Sequence, residues 1–454
     1  MTLRILHITP HLGGGVGTVL LRYLQAEARL RDREHAVVCL DYANPRAAAA
    51  CQAMAVALRD RLAARPQAIA GAMGGADLVL VHWWNHPLLF AFLVREALPP
   101  VRLLLWSHIS GLFPPNVFSP AVLAYPDLFV CTSPVSLAAP EVKALPDQAR
   151  GRLRLVWSTG GVEYLAGLAP QPHEGFVVGY IGTVSPCKMH PDFLAISSLI
   201  DLPEVRFVVC GGPEEGLLRQ QAEDRGLGHR FRILGPVDDV AAQLAGFDVF
   251  GYPLAPDHYG TCEQALGEAM AAGVPPVVLD NPAERQIVHH GVDGLVAAGG
   301  QAYAQAIADL CRRPDWRRQL GDEARRTAAE RYSLPRMQEA WETIFREALA
   351  WPKRPRCWPG AVQGPAASPA QIYLESLGVH GNLFASTLAA ASPGDRQTAW
   401  AAIRRLAAAP RWQAATRGTP AHYHSFFPED PHLERWHRVL SGPGPALPGG
   451  HPRP

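Results

Sequence analysis

Glu268 is the residue of this chain whose surroundings point most directly to chemistry. It lies in HYGTCEQALGEAMAAGVPPVVL (258–279), where a Gly-containing loop, His258–Thr261, leads into a short helix expected over Glu263–Ala272. Gly273 and Pro275 end that helix, and Val277–Leu279 reads as a strand. The unpaired N–H groups and positive dipole end of a helix start can hold an anion. A carboxylate further inside the helix is poorly placed for phosphate but well placed for the hydroxyls of an attached sugar. Phosphate at the helix mouth with a hydroxyl acceptor just inside is the pattern of a nucleotide site. A carboxylate among Leu266, Ala269 and Met270 also needs a polar partner.

Three other groups could do chemistry. Gly13-Gly14-Gly15-Val16-Gly17 follows the first strand and opens a helix, so backbone and helix terminus could approach an anionic ligand. It is not GxGxxG, because Thr18 holds the last Gly position, and a structural tight turn is the competing reading. His108 ends the strand in LLLWSHISG; for a lone His, a packed or surface imidazole is the competing reading. His82-Trp83-Trp84-Asn85-His86 ends another strand. Aromatic faces stack on sugar rings, and Asn or His can bind hydroxyls. His11, His82, Trp83 and Asn85 therefore form an expected acceptor-side set, with one of the two tryptophans read as core.

These groups need strand ends to present them. Strands are expected at Leu3–Ile8, Ala36–Leu40, Leu78–His82, Val101–Trp106, Leu128–Cys131 and Arg154–Val156, with helices between them, notably Thr18–Arg31 and Ala47–Ala64. After the linker-like LAPQPHEG, a second series begins: Phe176–Ile181, Val205–Cys210, Arg232–Leu234, Val249–Tyr252 and Val277–Leu279. Short apolar strands alternating with helices imply parallel sheets covered on both faces. Two such halves would place a ligand cleft between them. Residues 351–454 read as a Pro-rich extended stretch, helices over 369–388 and 395–409, and a disordered tail over the last fourteen residues.

Balanced charge, 42 basic against 41 acidic residues, gives no footprint for nucleic acid. Eight scattered cysteines without a CxxC pair read as reduced thiols rather than a disulfide or zinc framework. The N-terminus enters its first strand directly, with no signal-peptide pattern, and no run approaches a membrane span. A cytoplasmic protein is expected. Trp351, Lys353, Arg354, Arg356 and Trp358 mix bases and aromatics, which would suit peripheral contact with an inner-membrane surface, although a solvated linker is the preferred reading.

The run Glu268-Ala-Met-Ala-x-Gly-x-Pro, followed by a strand, Glu284 and His289-x-Gly-x-Asp-Gly294, resembles the donor-binding segment of family 4 glycosyltransferases. The resemblance covers roughly residues 1–350. It implies a retaining, GT-B enzyme: α/β, two Rossmann-like domains with parallel sheets facing an interdomain cleft, plus a C-terminal, mostly helical extension. Domains would be 1–170 for the acceptor, 171–335 for the donor nucleotide-sugar, a crossover helix at 336–350, and the 351–454 extension. By resemblance His108 lies near the donor sugar's hydroxyls and Gly13, Gly14 and Gly15 beside the diphosphate. Lys188, in YIGTVSPCKMHPDF, matches the family's phosphate-binding lysine, and a surface lysine is the competing reading. Breaking a sugar–phosphate bond builds charge on the β-phosphate, so a fixed cation favours the transition state. Losing ~3 kcal/mol of that stabilisation would slow the reaction on the order of 100-fold.

Two departures stand out. The arginine expected after Gly182 is Thr183, and the earlier glutamate of the family's pair falls on Gly260. Glu263, five residues before Glu268, would sit roughly 140° around the helix and could not replace it. Its role would pass to the backbone of Tyr259, Gly260, Thr261 and Cys262. Gly235 belongs to a strand-end loop that, by resemblance, contacts the base through backbone groups.

The sequence reading is thus a hexosyl-type glycosyltransferase. It would use a nucleotide-diphospho-sugar as co-substrate, with Lys188, Glu268 and His108 as its catalytic set. No cofactor or metal is expected, since no Asp-x-Asp stands at a strand end of the first half. The acceptor would be a carbohydrate or glycolipid, in cell-surface polysaccharide or glycolipid synthesis. The leaving phosphate itself would help remove the acceptor proton. A sugar-nucleotide epimerase, an NAD-dependent oxidoreductase using Asp41, and a catalytically inactive nucleotide-binding subunit remain open alternatives.

Overall fold

The computed structural model describes residues 2–30, 32–388 and 392–441. It divides into two compact units: residues up to Val156 together with those from Glu339 onward, and Trp157–Gln338. The disordered-tail expectation falls on residues 442–454, outside the described residues, apart from Ser441, which ends a helix.

The first unit is built on a seven-stranded parallel sheet. Its strands run in the order Leu153–Leu155, Leu128–Cys131, Leu103–Ser107, Leu78–Trp83, Leu3–Thr9, Arg33–Cys39 and Ala57–Arg59. Every residue of Leu78–Trp83 is buried, as a central strand covered on both faces requires. The helix Gly14–Glu27 begins inside the glycine run rather than at Thr18, with Gly14 at φ +62, a conformation that suits glycine. The helix expected over 47–64 stops at Ala53. Ala55 adopts φ +55, and Ala57–Arg59 joins the sheet as an edge strand too short for periodicity to reveal.

The second unit holds a six-stranded parallel sheet ordered Phe231–Gly235, Val205–Cys210, Phe176–Ile181, Val249–Tyr252, Pro276–Leu279 and Leu295–Ala297. Its own apolar core includes Phe207, Val249, Leu266 and Met270. The α/β class read from the sequence, with a parallel sheet in each half, is the one observed.

Residues after 350 complete the first unit's core. Arg354–Arg356 pairs antiparallel with Leu98–Val101. No helix forms over 351–368, as expected of its proline content, and Pro369, Pro393 and Pro420 open the helices Pro369–Leu377, Pro393–Leu406 and Pro420–Phe426. A fixed φ is helical there and the missing N–H would be unpaired anyway. Ser368, Ser392 and Thr419 cap these helices. Tyr373, Phe384, Tyr423 and Trp436 pack into the same core as Trp83 and Phe90.

The membrane-surface reading of 351–358 is corrected. Trp358 is buried against Phe90 and Tyr125 and donates to Glu375 Oε1 at 3.1 Å. Arg356 pairs with Asp127, and Lys353 Nζ donates to the Ala76 carbonyl at 2.6 Å. Among the described residues no helix is long and apolar enough to cross a membrane.

Candidate active site

The helix carrying Glu268 spans Gln264–Ala271, and Glu263 is its N-cap. Glu268 is buried, as are the helix residues Leu266 through Ala271 around it, and its Oε1 accepts from Tyr164 Oη at 2.9 Å and Gln264 Nε2 at 3.3 Å. These are the polar partners its apolar surroundings demand. Ser158, Thr159, Val162, Cys262, Glu263 and Gln264 contribute to a small recess of ≈ 230 Å³ at the mouth of the same helix.

Lys188 sits in the loop after Phe176–Ile181. That loop is pinned where Ala255 N donates to the Lys188 carbonyl at 2.8 Å. The ammonium is buried, 2.5 Å from Glu263 Oε1 and 4.9 Å above the Tyr259 ring. Burial opposes the charge on Lys188, but the Glu263 carboxylate more than offsets it and holds the ammonium pKa above its ordinary value. Burial likewise works against charge on Glu263, yet Lys188 and then His258 hold its pKa below the usual carboxylate value. Tyr252 Oη donates to Glu263 Oε2 at 3.0 Å.

This arrangement corrects the sequence reading of Glu263. The 140° offset assumed two helical residues, but Glu263 has φ −72 and ψ 95, outside the helix proper. Its carboxylate therefore swings back over Gly260. A Cβ on Gly260 would lie 1.8 Å from Glu263 Oε1 and 2.5 Å from Lys188 Nζ. Glu263, three residues later in the chain, thus places a carboxylate beside position 260.

His258 stands behind the pair. Its Nδ1 accepts from Gly260 N at 3.0 Å and its Nε2 lies 3.0 Å from Oε1 of the fully buried Glu284. His258, Glu263 and Glu284 each offer a ligand atom within 4.8 Å of the others, a set with the chemistry to hold a cation. The Lys188 ammonium already supplies positive charge to Glu263 there. His289 and Asp293, of the motif after Glu284, build a turn instead. Asp293 accepts from His289 N and Nδ1, both at 2.6 Å, and from Thr327 Oγ1 at 2.9 Å.

The other donor-side residues lie nearby in sequence but play varied parts. Thr183 presents its carbonyl to Tyr180 Oη at 2.8 Å. Gly235 ends its strand at φ +77. Thr261 is buried and Cys262 half-buried, with burial first among the causes raising the Cys262 thiol. The sequence reading missed Tyr164, Tyr252, His258 and Gln264. Only the two residues flanking the loop and helix start, His258 and Gln264, were near enough in sequence to be noticed.

In the first unit, Gly13 caps the helix Gly14–Glu27, and a Cβ on Gly14 or Gly15 would meet no atom within 4 Å. His11 stacks on Tyr42 at 5.1 Å, and burial, then the charge of Arg417, push it down to about 4. Three acceptor-side assignments need correction. Trp83 is fully buried against Phe118 and is core. Asn85 is equally enclosed: its Nδ2 donates to the Pro115 carbonyl at 3.1 Å and Ser376 Oγ at 3.3 Å, while Oδ1 accepts from Tyr423 Oη at 2.8 Å. Its carboxamide holds the C-terminal helices, not a ligand. His82 is fully buried one ring behind the half-buried His108, with His82 Nδ1 and His108 Nε2 3.3 Å apart.

Comparison with known proteins places this geometry. Residues 169–327, which include Lys188, Glu263, Glu268 and Glu284, match the family model for glycosyl transferases group 1. A phosphatidyl-myo-inositol mannosyltransferase of Mycobacterium leprae is 37% identical over 174 residues, 33% of this chain and 45% of that protein. The N-acetyl-alpha-D-glucosaminyl L-malate synthase of Bacillus anthracis is 25% identical over 158 residues, 34% of this chain and 41% of that protein. The chain thus spans less than half the length of these relatives. Among solved structures, Anabaena HepE in complex with UDP and glucose superposes with TM-score 0.59 at 19% identity, over 75% of this chain and 99% of that one. Sucrose-phosphate synthase from Thermosynechococcus elongatus gives 0.58 at 18% identity, over 77% and 99%. The chain therefore has the GT-B fold and resembles the family 4 glycosyltransferases, with the match to glycosyl transferases group 1 confined to residues 169–327.

Proposed function

We propose that this chain is a retaining glycosyltransferase that moves a hexosyl group from a nucleoside-diphospho-sugar to an acceptor hydroxyl. The observation that carries the reading is the buried Lys188–Glu263 pair beside Glu268, on a helix mouth within the matched family segment. Glu268 would take the ribose hydroxyls. The Lys188 ammonium would face the β-phosphate as its charge grows, a task that calls for no divalent ion. Glu263 would hold that ammonium in place before the donor arrives and take the sugar's hydroxyls once it has. The first unit would present the acceptor near Gly13, Gly14, Gly15 and His108. The phosphatidyl-myo-inositol mannosyltransferase of Mycobacterium leprae favours a glycolipid acceptor, and a GDP-mannose-dependent mannosyltransferase of Mycobacterium tuberculosis, 34% identical over 111 residues, makes GDP-mannose the first donor to try, with UDP-glucose second because HepE binds UDP and glucose.

Calorimetric binding of UDP, GDP, ADP and NAD without metal, on wild type and Glu268→Ala, tests this. One nucleoside diphosphate should bind at micromolar level, and the variant should lose ~1.5 kcal/mol or more, as for a charged hydrogen bond. Binding of NAD alone, or unchanged affinity in the variant, would sink the assignment. A second reading, a nucleotide-binding subunit without turnover, draws support from the neutralisation of Lys188 by Glu263. It predicts diphosphate binding with no release of sugar from any donor.

A further inference from the structure

Four histidines cross the first unit's sheet in a continuous row. His35, His7 and His82 stand on three adjacent strands, and His108 follows the fourth. His35 Nδ1 lies 2.9 Å from His7 Nε2, His7 Nδ1 lies 3.0 Å from His82 Nε2, and His82 Nδ1 lies 3.3 Å from His108 Nε2. The far end meets Glu27, whose Oε2 is 3.6 Å from His35 Nε2 and 3.0 Å from Arg33 Nη1. Arg33 in turn pairs with Glu342. Tyr23 and Trp106 lie edge-on or tilted against the row, and its inner three members are buried.

A neutral imidazole has one N–H and one lone pair, so each N···N contact needs a donor and an acceptor. Fixing one ring therefore fixes all four. Arg33 keeps Glu27 a carboxylate, which only accepts. The Glu27 carboxylate lies 3.6 Å from His35 Nε2, beyond hydrogen-bond length, but its charge favours the proton on that nitrogen, leaving Nδ1 bare for the proton on His7 Nε2. The same logic passes through His82 to His108. Burial, and after it the neighbouring histidines, hold His7 and His108 well below the ordinary imidazole pKa, and burial puts His82 at about 3, so these three rings stay uncharged.

We propose that this row, biased by the Glu27 charge, fixes His108 as the Nε2–H tautomer, so that its other ring nitrogen, Nδ1, is a bare lone pair that accepts a hydrogen bond from a ligand hydroxyl and turns away phosphate oxygens. Glu27, His35, His7 and His82 are positioning residues. Identifying the hydroxyl as a sugar's rests on the proposed transferase function, whereas the tautomer does not.

The test is long-range proton–nitrogen correlation NMR on the full chain labelled at histidine, with His108 assigned by His108→Gln. All four rings should show protonated Nε2 and bare Nδ1. A protonated or averaged Nδ1 on His82 or His108 in the wild type overturns the proposal, and this readout needs no variant to fold. In a folded His7→Phe protein the His108 signals should move toward tautomer averaging; an unchanged His108 would show that the row does not set it. In the wild type, D-mannose or D-glucose should shift the His108 Nδ1 resonance and inorganic phosphate should not. The reverse pattern, or no shift with either sugar, removes the hydroxyl assignment. Failure of nucleotide binding with the tautomers as expected would strike the transferase reading alone.

Discussion

The two units solve the same problem, polar groups beneath the ends of a parallel sheet, in opposite ways. The first threads neutral histidines together, each link a proton shared between uncharged rings. The second buries formal charge, Lys188 against Glu263, with Tyr252 and His258 around it. A neutral row transmits a choice of tautomer but supplies little field. A buried ion pair supplies field but depends on both partners being present. The proposed function would divide these roles, the first unit orienting a hydroxyl and the second meeting a phosphate.

Acid should separate the units most sharply. His82 and His422 are held at about 3, so below the ordinary value of 6.5 the unfolded chain binds protons that the folded chain refuses. Stability is complete above pH 6.5 and falls as pH drops toward 3, by ~1.4 kcal/mol per pH unit for each ring. Glu263, with its pKa depressed, keeps its contribution until pH falls below the usual carboxylate range. Acid titration followed by hydrogen exchange should therefore show the first sheet opening first; simultaneous opening would erase the distinction. Next in size, Glu263→Ala should destabilise the second unit by ~3–5 kcal/mol in denaturant unfolding, because Lys188 is left buried and unpaired. Lys188→Met combined with Glu263→Leu should recover much of that loss. Gly260→Ala should lose ~1–3 kcal/mol by pressing on both partners, and Gly260→Glu with Glu263→Ala should restore the pair from the other position. The smallest effect is expected from Tyr423→Phe, ~1 kcal/mol of stability with nucleotide affinity unchanged, since Asn85 braces helices rather than a ligand.

Legibility followed sequence distance. Glu268 and its helix were readable because the loop, the apolar spacing and Gly273 lie within one short run. Glu263 was placed wrongly because helical geometry was extended one residue past the helix start, where the backbone turns away. Asn85 looked ligand-facing because its partners, Ser376 and Tyr423, come almost three hundred residues or more later. The histidine row was invisible for the same reason: each member is a lone His on its own strand, and only the register brings the rings into line. His7 and His35 drew no attention at all. Buried-facing polar residues recurring on neighbouring strands were the one available signal.

The first unit is discontinuous in the chain, and that has a consequence for synthesis. Trp83 and Phe90 share a core with Tyr423 and Trp436, so the N-terminal sheet cannot be sealed until the C-terminal helices leave the ribosome. The intervening Trp157–Gln338 is continuous and can close earlier. At ~5–20 residues per second the first-made sheet waits on the order of tens of seconds with an apolar flank uncovered. The part of the chain that is translated first is completed last, and during that interval it is the segment a chaperone would have to guard.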